Sequence, residues 1–210
     1  MENTGVLFDL DGVLIDSESI YTEFWNNAEK KYPTGFDNFA YTIKGNNLER
    51  ILNTYFPDKK VQSELLGMID ELENNMVYNI FDGVIEFLED LESHNIPCAI
   101  VTSSDKTKME KLYKQHPDFR NYFNAVVTGD MVKKSKPDPE CFLMGAGLLN
   151  CNPKDCYIFE DSNSGLMAAS SAGGKVIALA TTLKRDDIKI KACKIIDNFT
   201  GFKVKDMLNS

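Results

Sequence analysis

Residues 6–18, VLFDLDGVLIDSE, place two carboxylates where an apolar run of strand length gives out. The run ends in Asp9, Leu10, Asp11 and Gly12, and from Ser17 the hydrophobic period changes to that of a helix. In extended chain, residues i and i+2 point the same way. Asp9 and Asp11 therefore face one pocket while Leu10 packs into the core, and Gly12 lets the chain turn away.

Outward from this stretch the chain has two characters. Residues 17–31 predict a helix, 32–47 are turn-rich, and Leu48, Ile51, Leu52, Tyr55 and Phe56 recur at helical spacing, as do Val61, Leu65, Met68, Ile69, Leu72 and Met76. Residues 16–80 thus form a helical block with no evident strand. From Phe81 onward, helices at 84–94, 106–115, 139–149 and 162–172 alternate with strands at 96–102, 123–128, 155–160 and 175–179. A last strand at 193–198 and a short terminal helix follow. Such alternation predicts an α/β fold, a Rossmann-like parallel sheet with helices on both faces, built from 1–15 and 81–210 with 16–80 inserted.

Composition narrows the function. A chain of 210 residues with 43% hydrophobic content can bury one sizeable core, or a core plus a small second domain. A net charge of −9 argues against a nucleic-acid surface, and Lys133, Lys134 and Lys136 form only a short basic group. Cys98, Cys141, Cys151, Cys156 and Cys193 make no Cys-x-x-Cys pair, and His94 and His116 are the two imidazoles, so no zinc site is expected and the thiols should be buried and inert. No signal-like segment follows Met1, and no apolar run approaches the roughly 20 residues of a bilayer span, so the expectation is a monomeric cytoplasmic protein without a membrane partner.

In parallel sheets of this kind ligands sit at the carboxyl ends of the strands. There the sequence places Asp9 and Asp11, then Thr102, Ser103 and Ser104, a loop bearing Lys136, and finally Glu160 and Asp161. Each alone has an ordinary structural explanation in turn chemistry, a strand end or a helix cap; their meeting on one edge does not. Four carboxylates brought together repel, and a hard divalent cation, with Mg²⁺ the natural candidate, relieves that repulsion. The cation, Lys136 and the Thr102 hydroxyl would receive a phosphoryl group. An ionised Asp9 can attack phosphorus without a base, and a carboxylate near Asp11 would raise its pKa enough to make it an acid. Asp138 between Pro137 and Pro139 reads as an N-cap that stiffens the lysine loop, Ser162 as an N-cap beside Asp161, and Gly165 as a site of close packing.

These residues resemble the haloacid dehalogenase-like superfamily, and within it the phosphatase and β-phosphoglucomutase-like group. FDLDGVLIDSE is similar to its first motif, VTSS to its second, KKSKPDPECF to its third and IFEDSNSGLMAASSAG to its fourth, in order along nearly the whole chain. The resemblance implies Asp9 as nucleophile, Asp11 as acid and base, and Thr102 and Lys136 on the phosphate. It also implies Mg²⁺ held by Asp9, the Asp11 carbonyl and Asp161, with Glu160 beside it. Residues 16–80 become a helical cap closing over the site, where Tyr21, Asn46, Asn47 and Arg50 are candidates to read the leaving group. The implied partner is a small phosphorylated molecule, a sugar or polyol phosphate in the first instance, with pyrophosphate or a phosphorylated nucleoside as alternatives.

Departures from the family's patterns sharpen this. Dehalogenases lack the second aspartate of the first motif, and Asp11 is present. The β-phosphoglucomutases typically carry a histidine where this chain has Tyr21, and an arginine where KGNNLER has Leu48, with Arg50 two positions further on. Weak basicity in the cap favours a phosphatase over a mutase that must hold both ends of a bisphosphate. A phospho-accepting signalling module would be much shorter and would not need the helical insert. A non-catalytic binding protein would not need every polar group of the mechanism.

Overall fold

The structure is a computed structural model describing residues 4–188 and 192–210. Six parallel strands form one sheet in the order β3-β2-β1-β4-β5-β6, where β1 is Gly5–Phe8, β2 Cys98–Val101, β3 Ala125–Val127, β4 Cys156–Glu160, β5 Lys175–Leu179 and β6 Lys194–Ile196. The short last strand predicted near the C-terminus is present as β6.

Both faces of the sheet are buried, which is why its strands read as near-continuous apolar runs. Alternation sorts each strand between two cores: Val6, Phe8, Ile100 and Phe159 face one cluster, Leu7, Ala99, Val101 and Ile158 the other. The first core is aromatic, with Phe8 and Phe159 stacked at 4.9 Å and Phe87 edge-on to Phe8 at 6.1 Å. It is covered by α5 (Val84–Ser93), α6 (Lys106–Gln115) and α9 (Val204–Leu208). The second is built from smaller side chains and covered by α7 (Glu140–Leu148) and α8 (Asn163–Ala172).

Between β1 and α5 run α1 (Glu18–Lys31), α2 (Phe39–Thr42), α3 (Leu48–Tyr55) and α4 (Lys59–Asn75). They carry an apolar cluster of their own around Trp25, Phe39, Phe56, Leu65 and Ile69. The predicted helical block contains no strand beyond an isolated bridge between its flanks, Ile15 and Ile80. Its carbonyls and side chains reach the sheet domain: Ser103 Oγ donates to Gly45 O at 2.9 Å, and Lys111 Nζ donates to Asp70 at 2.7 Å.

Two expectations need adjustment. Pro139, rather than Asp138, is the N-cap of α7; Asp138 Oδ1 instead accepts from Glu140 N at 3.1 Å, so the carboxylate still serves the first turn from one residue earlier. Of the cysteines, Cys98, Cys141 and Cys156 are buried, and burial pushes their thiols up to about 12, 11 and 12, whereas Cys193 is exposed. No helix among the described residues is long and apolar enough to cross a membrane.

Candidate active site

The strand order changes direction between β1 and β4, and the crevice outside that point is where a parallel sheet opens to ligands. Asp9 continues β1 by donating its N–H to Phe159 O at 3.0 Å, which sets its side chain at the sheet edge beside the end of β4. There Lys136 Nζ donates to Asp9 Oδ1 and Glu160 Oε1, both at 2.7 Å, and to Val101 O at 3.3 Å. All three ammonium protons are thereby used. The ion triplet is buried, with Lys136 2% and Glu160 0% exposed. Burial alone would depress the lysine, but Asp9 and Glu160 outweigh it and hold the ammonium well above its usual value. Burial also pushes Asp9 up to about 7, against the pull of Lys136 and with the push of Glu160. The expectation that Asp9 is freely ionised thus holds only if more positive charge arrives.

Glu160 is a structural hub. Its Oε2 accepts from Asp161 N at 2.8 Å, Ser162 N at 2.9 Å and Ser162 Oγ at 3.1 Å. Ser162 caps α8 as predicted, accepting from Gly165 N at 3.1 Å. Gly165 lies so close that a Cβ there would sit 1.6 Å from Glu160 Oε1. Gly165→Ala is therefore expected to cost about 1–3 kcal/mol through overpacking, a fall of roughly 2–12 °C in Tm. A Tm unchanged by calorimetry would show that the hub tolerates displacement.

Asp161 differs from every other acid of the site. Both of its carboxylate oxygens are buried and find no hydrogen-bond partner among the described residues. Burial, reinforced by Glu160, Glu18 and Asp9, drives its pKa well above the usual range. Asp9, Glu160 and Asp161 offer oxygens within 4.8 Å of one another. Among the described residues, Asp9, Asp11, Glu160 and Asp161 face Lys136 and Lys108 as close ammonium partners, and a divalent cation matches the uncompensated charge. An all-oxygen donor set with an orphaned carboxylate fits a hard ion such as Mg²⁺. Gly12, at φ +77°, keeps the approach open, since a Cβ there would fall 2.0 Å from Asp161 Oδ2.

Asp11 departs from expectation. No carboxylate lifts its pKa; instead the cost of burial is exceeded by Lys108, Ser17 and Ser104, which hold it below the usual range. Lys108 Nζ donates to Asp11 Oδ1 at 2.5 Å, Ser104 Oγ to Oδ2 at 2.7 Å, and the Ser17 hydroxyl also binds Oδ1, which leaves Ser17 without a capping bond to α1. Ser103 and Ser104, predicted as phosphate ligands, line the cavity, with their hydroxyls donating to Gly45 O and Asp11 Oδ2. Thr102 Oγ1 lines the cavity and accepts from Ser104 N at 3.0 Å.

Above this floor lies a cavity of about 580 Å³. Of the predicted cap residues, Tyr21, Asn46 and Asn47 line it, Asn47 also capping α3 by accepting from Arg50 N at 2.9 Å. Arg50 does not. Its guanidinium donates to Lys136 O at 3.1 Å and lines a separate hollow beside the lysine loop. Sequence reasoning missed Lys108, Glu18 and Lys44, which line the cavity. Helical spacing from Asp105, the N-cap of α6, was the available signal for Lys108, but nothing in the chain announces the Glu18–Lys44 ion pair.

Known proteins resemble this chain over most of its length. A phosphorylated carbohydrates phosphatase of Thermotoga maritima is 34% identical over 80% of this chain and 81% of its own length. A bifunctional riboflavin kinase/FMN phosphatase of Arabidopsis thaliana is 28% identical over 95% of this chain, which spans 54% of that longer protein. The crystal structure of a haloacid dehalogenase-type hydrolase, family IA, variant 3, from Entamoeba histolytica superposes with a TM-score of 0.81 at 25% identity, covering 98% of both chains. The family model for haloacid dehalogenase-like hydrolases matches residues 6–179, from the first apolar strand to the end of β5, and the chain belongs to that family.

Proposed function

We propose that this chain is a Mg²⁺-dependent phosphomonoesterase that hydrolyses a phosphorylated sugar or polyol through a phospho-aspartate on Asp9. The observation that carries the proposal is the floor of the cavity: Asp9 is clamped by Lys136 beside a buried Asp161 whose two oxygens find no hydrogen-bond partner among the described residues. The carbohydrate-phosphatase relative points to the same substrate class.

In this mechanism an Asp9 oxygen forms a bond to phosphorus as the bond to the ester oxygen breaks. Asp11 protonates the departing alcohol, then takes a proton from the water that attacks the phospho-aspartate, so that inorganic phosphate leaves and Asp9 is restored. Because Lys108 holds Asp11 ionised in the free protein, the incoming dianion has to draw that ammonium toward itself before Asp11 can carry a proton. Lys136 neutralises Asp9 and Glu160, and the Thr102 hydroxyl donates to the phosphoryl oxygens. Asp9, Asp161 and the Asp11 carbonyl, with Glu160 beside them, would hold Mg²⁺, which would supply charge neutralisation for the phosphoryl transfer. Residues 16–80 act as the cap that excludes bulk water.

Two measurements test this. Phosphate release is expected from sugar and polyol phosphates with Mg²⁺ and not with a chelator; pyrophosphate is run beside them, and β-glucose 1-phosphate isomerisation outpacing hydrolysis would identify a mutase instead. Independently of turnover, Mg²⁺ at a hundred times its Kd should stabilise the protein by about 2.7 kcal/mol, a rise of roughly 5–11 °C in Tm. Asp161→Asn should lose that rise; an unchanged response would move the metal elsewhere.

A further inference from the structure

The cavity over the floor is zoned, and two helices supply the scale. On α1 the lining residues are Glu18, Tyr21, Thr22 and Trp25, one face at i, i+3, i+4 and i+7. On α4 they are Lys59, Gln62, Leu66, Ile69 and Glu73, likewise one face, with Lys59 and Gln62 at the end remote from the floor. Tyr21 Oη donates to Glu73 Oε1 at 2.8 Å, which ties the floor end of α1 to the C-terminal end of α4 and makes the two faces run antiparallel. Four residues further along α1, Trp25 meets the level of Ile69, four residues back along α4; both belong to one apolar cluster. At 1.5 Å per residue Trp25 stands about 10 Å along the helix from Glu18.

The level nearest the floor is therefore polar. Lys44 pairs with Glu18 and donates to Thr22 Oγ1 at 3.0 Å, with the Tyr21–Glu73 bond alongside. The next level is apolar: Trp25, Ile69, Ile51 and Leu66. Among the described apolar lining residues, Leu66 alone lies outside the helical block's own core, and it is 46% exposed. A simple hexose or polyol phosphate would occupy the polar level and leave the apolar one unfilled. Cavities of this volume, apolar with a few placed polar groups, suit a larger ligand.

We propose that the preferred substrate is a sugar phosphate bearing a flat heterocycle, with its sugar hydroxyls at the Glu18–Lys44–Thr22 level and its ring against Trp25, Ile69 and Leu66. This rests on the phosphomonoesterase reading and narrows its substrate class.

With Mg²⁺ present, kcat/KM is measured for uridine 5′-monophosphate, adenosine 5′-monophosphate and riboflavin 5′-phosphate against ribose 5-phosphate, glucose 6-phosphate and sorbitol 6-phosphate, with acetyl phosphate as a control whose small, activated leaving group does not reach the cap. At least one heterocyclic ester is expected to exceed its sugar counterparts by tenfold or more, and Leu66→Trp, which fills the apolar level, should shrink that ratio at least fivefold. Equal or higher kcat/KM for the bare sugar phosphates, or a Leu66→Trp effect that leaves the ratio alone, overturns the proposal. A readout without turnover uses Trp25, the single tryptophan of the chain. In Asp9→Asn protein, nucleoside monophosphate should change its fluorescence saturably where ribose 5-phosphate does not, and the reverse order overturns the assignment. Absence of Mg²⁺-dependent release from every ester and from the acyl phosphate overturns the phosphatase reading itself, while the Trp25 titration still decides what the cavity holds.

Discussion

Asp9→Asn is expected to lower turnover by more than about 10⁴-fold, roughly 5.5 kcal/mol of barrier, while the protein stays folded. The substitution keeps the shape of the side chain and leaves an oxygen able to accept from Lys136 Nζ, now 2.7 Å from Asp9 Oδ1. It removes the oxygen nucleophile of the proposed mechanism. It also removes one of the negative charges crowded against Glu160 and Asp161, so Tm should be unchanged or raised. Single-turnover phosphate release and acid-stable labelling of the protein check the chemistry, and calorimetry checks the fold. Activity above about 1% of wild type in a folded variant, well outside the predicted range, would move the nucleophile to another residue.

Lys136→Met should be the most destabilising single change at the site. The ammonium is the shared partner of Asp9 and Glu160 and is fully buried between them. Removing one partner of a buried ion pair leaves uncompensated charge in a low-dielectric interior and costs about 3–5 kcal/mol. For a chain of this size that is a fall of roughly 6–20 °C in Tm. Methionine fills the same volume against Phe142, whose ring centre lies 4.9 Å from Nζ, so the loss reports charge rather than a cavity. A change under 1 kcal/mol, the scale of an exposed pair, would mean that the triplet is solvated in solution.

The two experiments separate roles that the free structure superimposes on one cluster. Asp9→Asn should spare stability and abolish chemistry. Lys136→Met should damage both, because the same ammonium that offsets the carboxylates also stiffens the loop presenting it. Glu160 belongs with Lys136 in this respect: its carboxylate is occupied by Lys136, Asp161 N and Ser162, so it positions the neighbouring acids.

Pattern along the chain was sufficient for the sheet, its helices on both faces, the helical insert after β1, and the gathering of Asp9, Lys136, Glu160 and Asp161 on one edge. These follow from period and strand ends, which are local properties: a residue two places past a buried strand has few directions to point. What a polar side chain bonds to once it arrives there is not local. Ser17 and Ser104 turned to Asp11, Ser103 to the Gly45 carbonyl, and Arg50 to the Lys136 carbonyl. Lys108, 97 residues from Asp11, reversed the direction of its pKa shift. Such partners are chosen by distances of a few ångströms between elements remote in sequence, where burial makes each unpaired charge costly and the nearest available donor wins. The zoning of the cavity has the same origin. Helical period shows which face of α1 and α4 is continuous, but only their antiparallel packing, fixed by Tyr21 on Glu73, sets Trp25 opposite Ile69 and so puts an apolar level above a polar one.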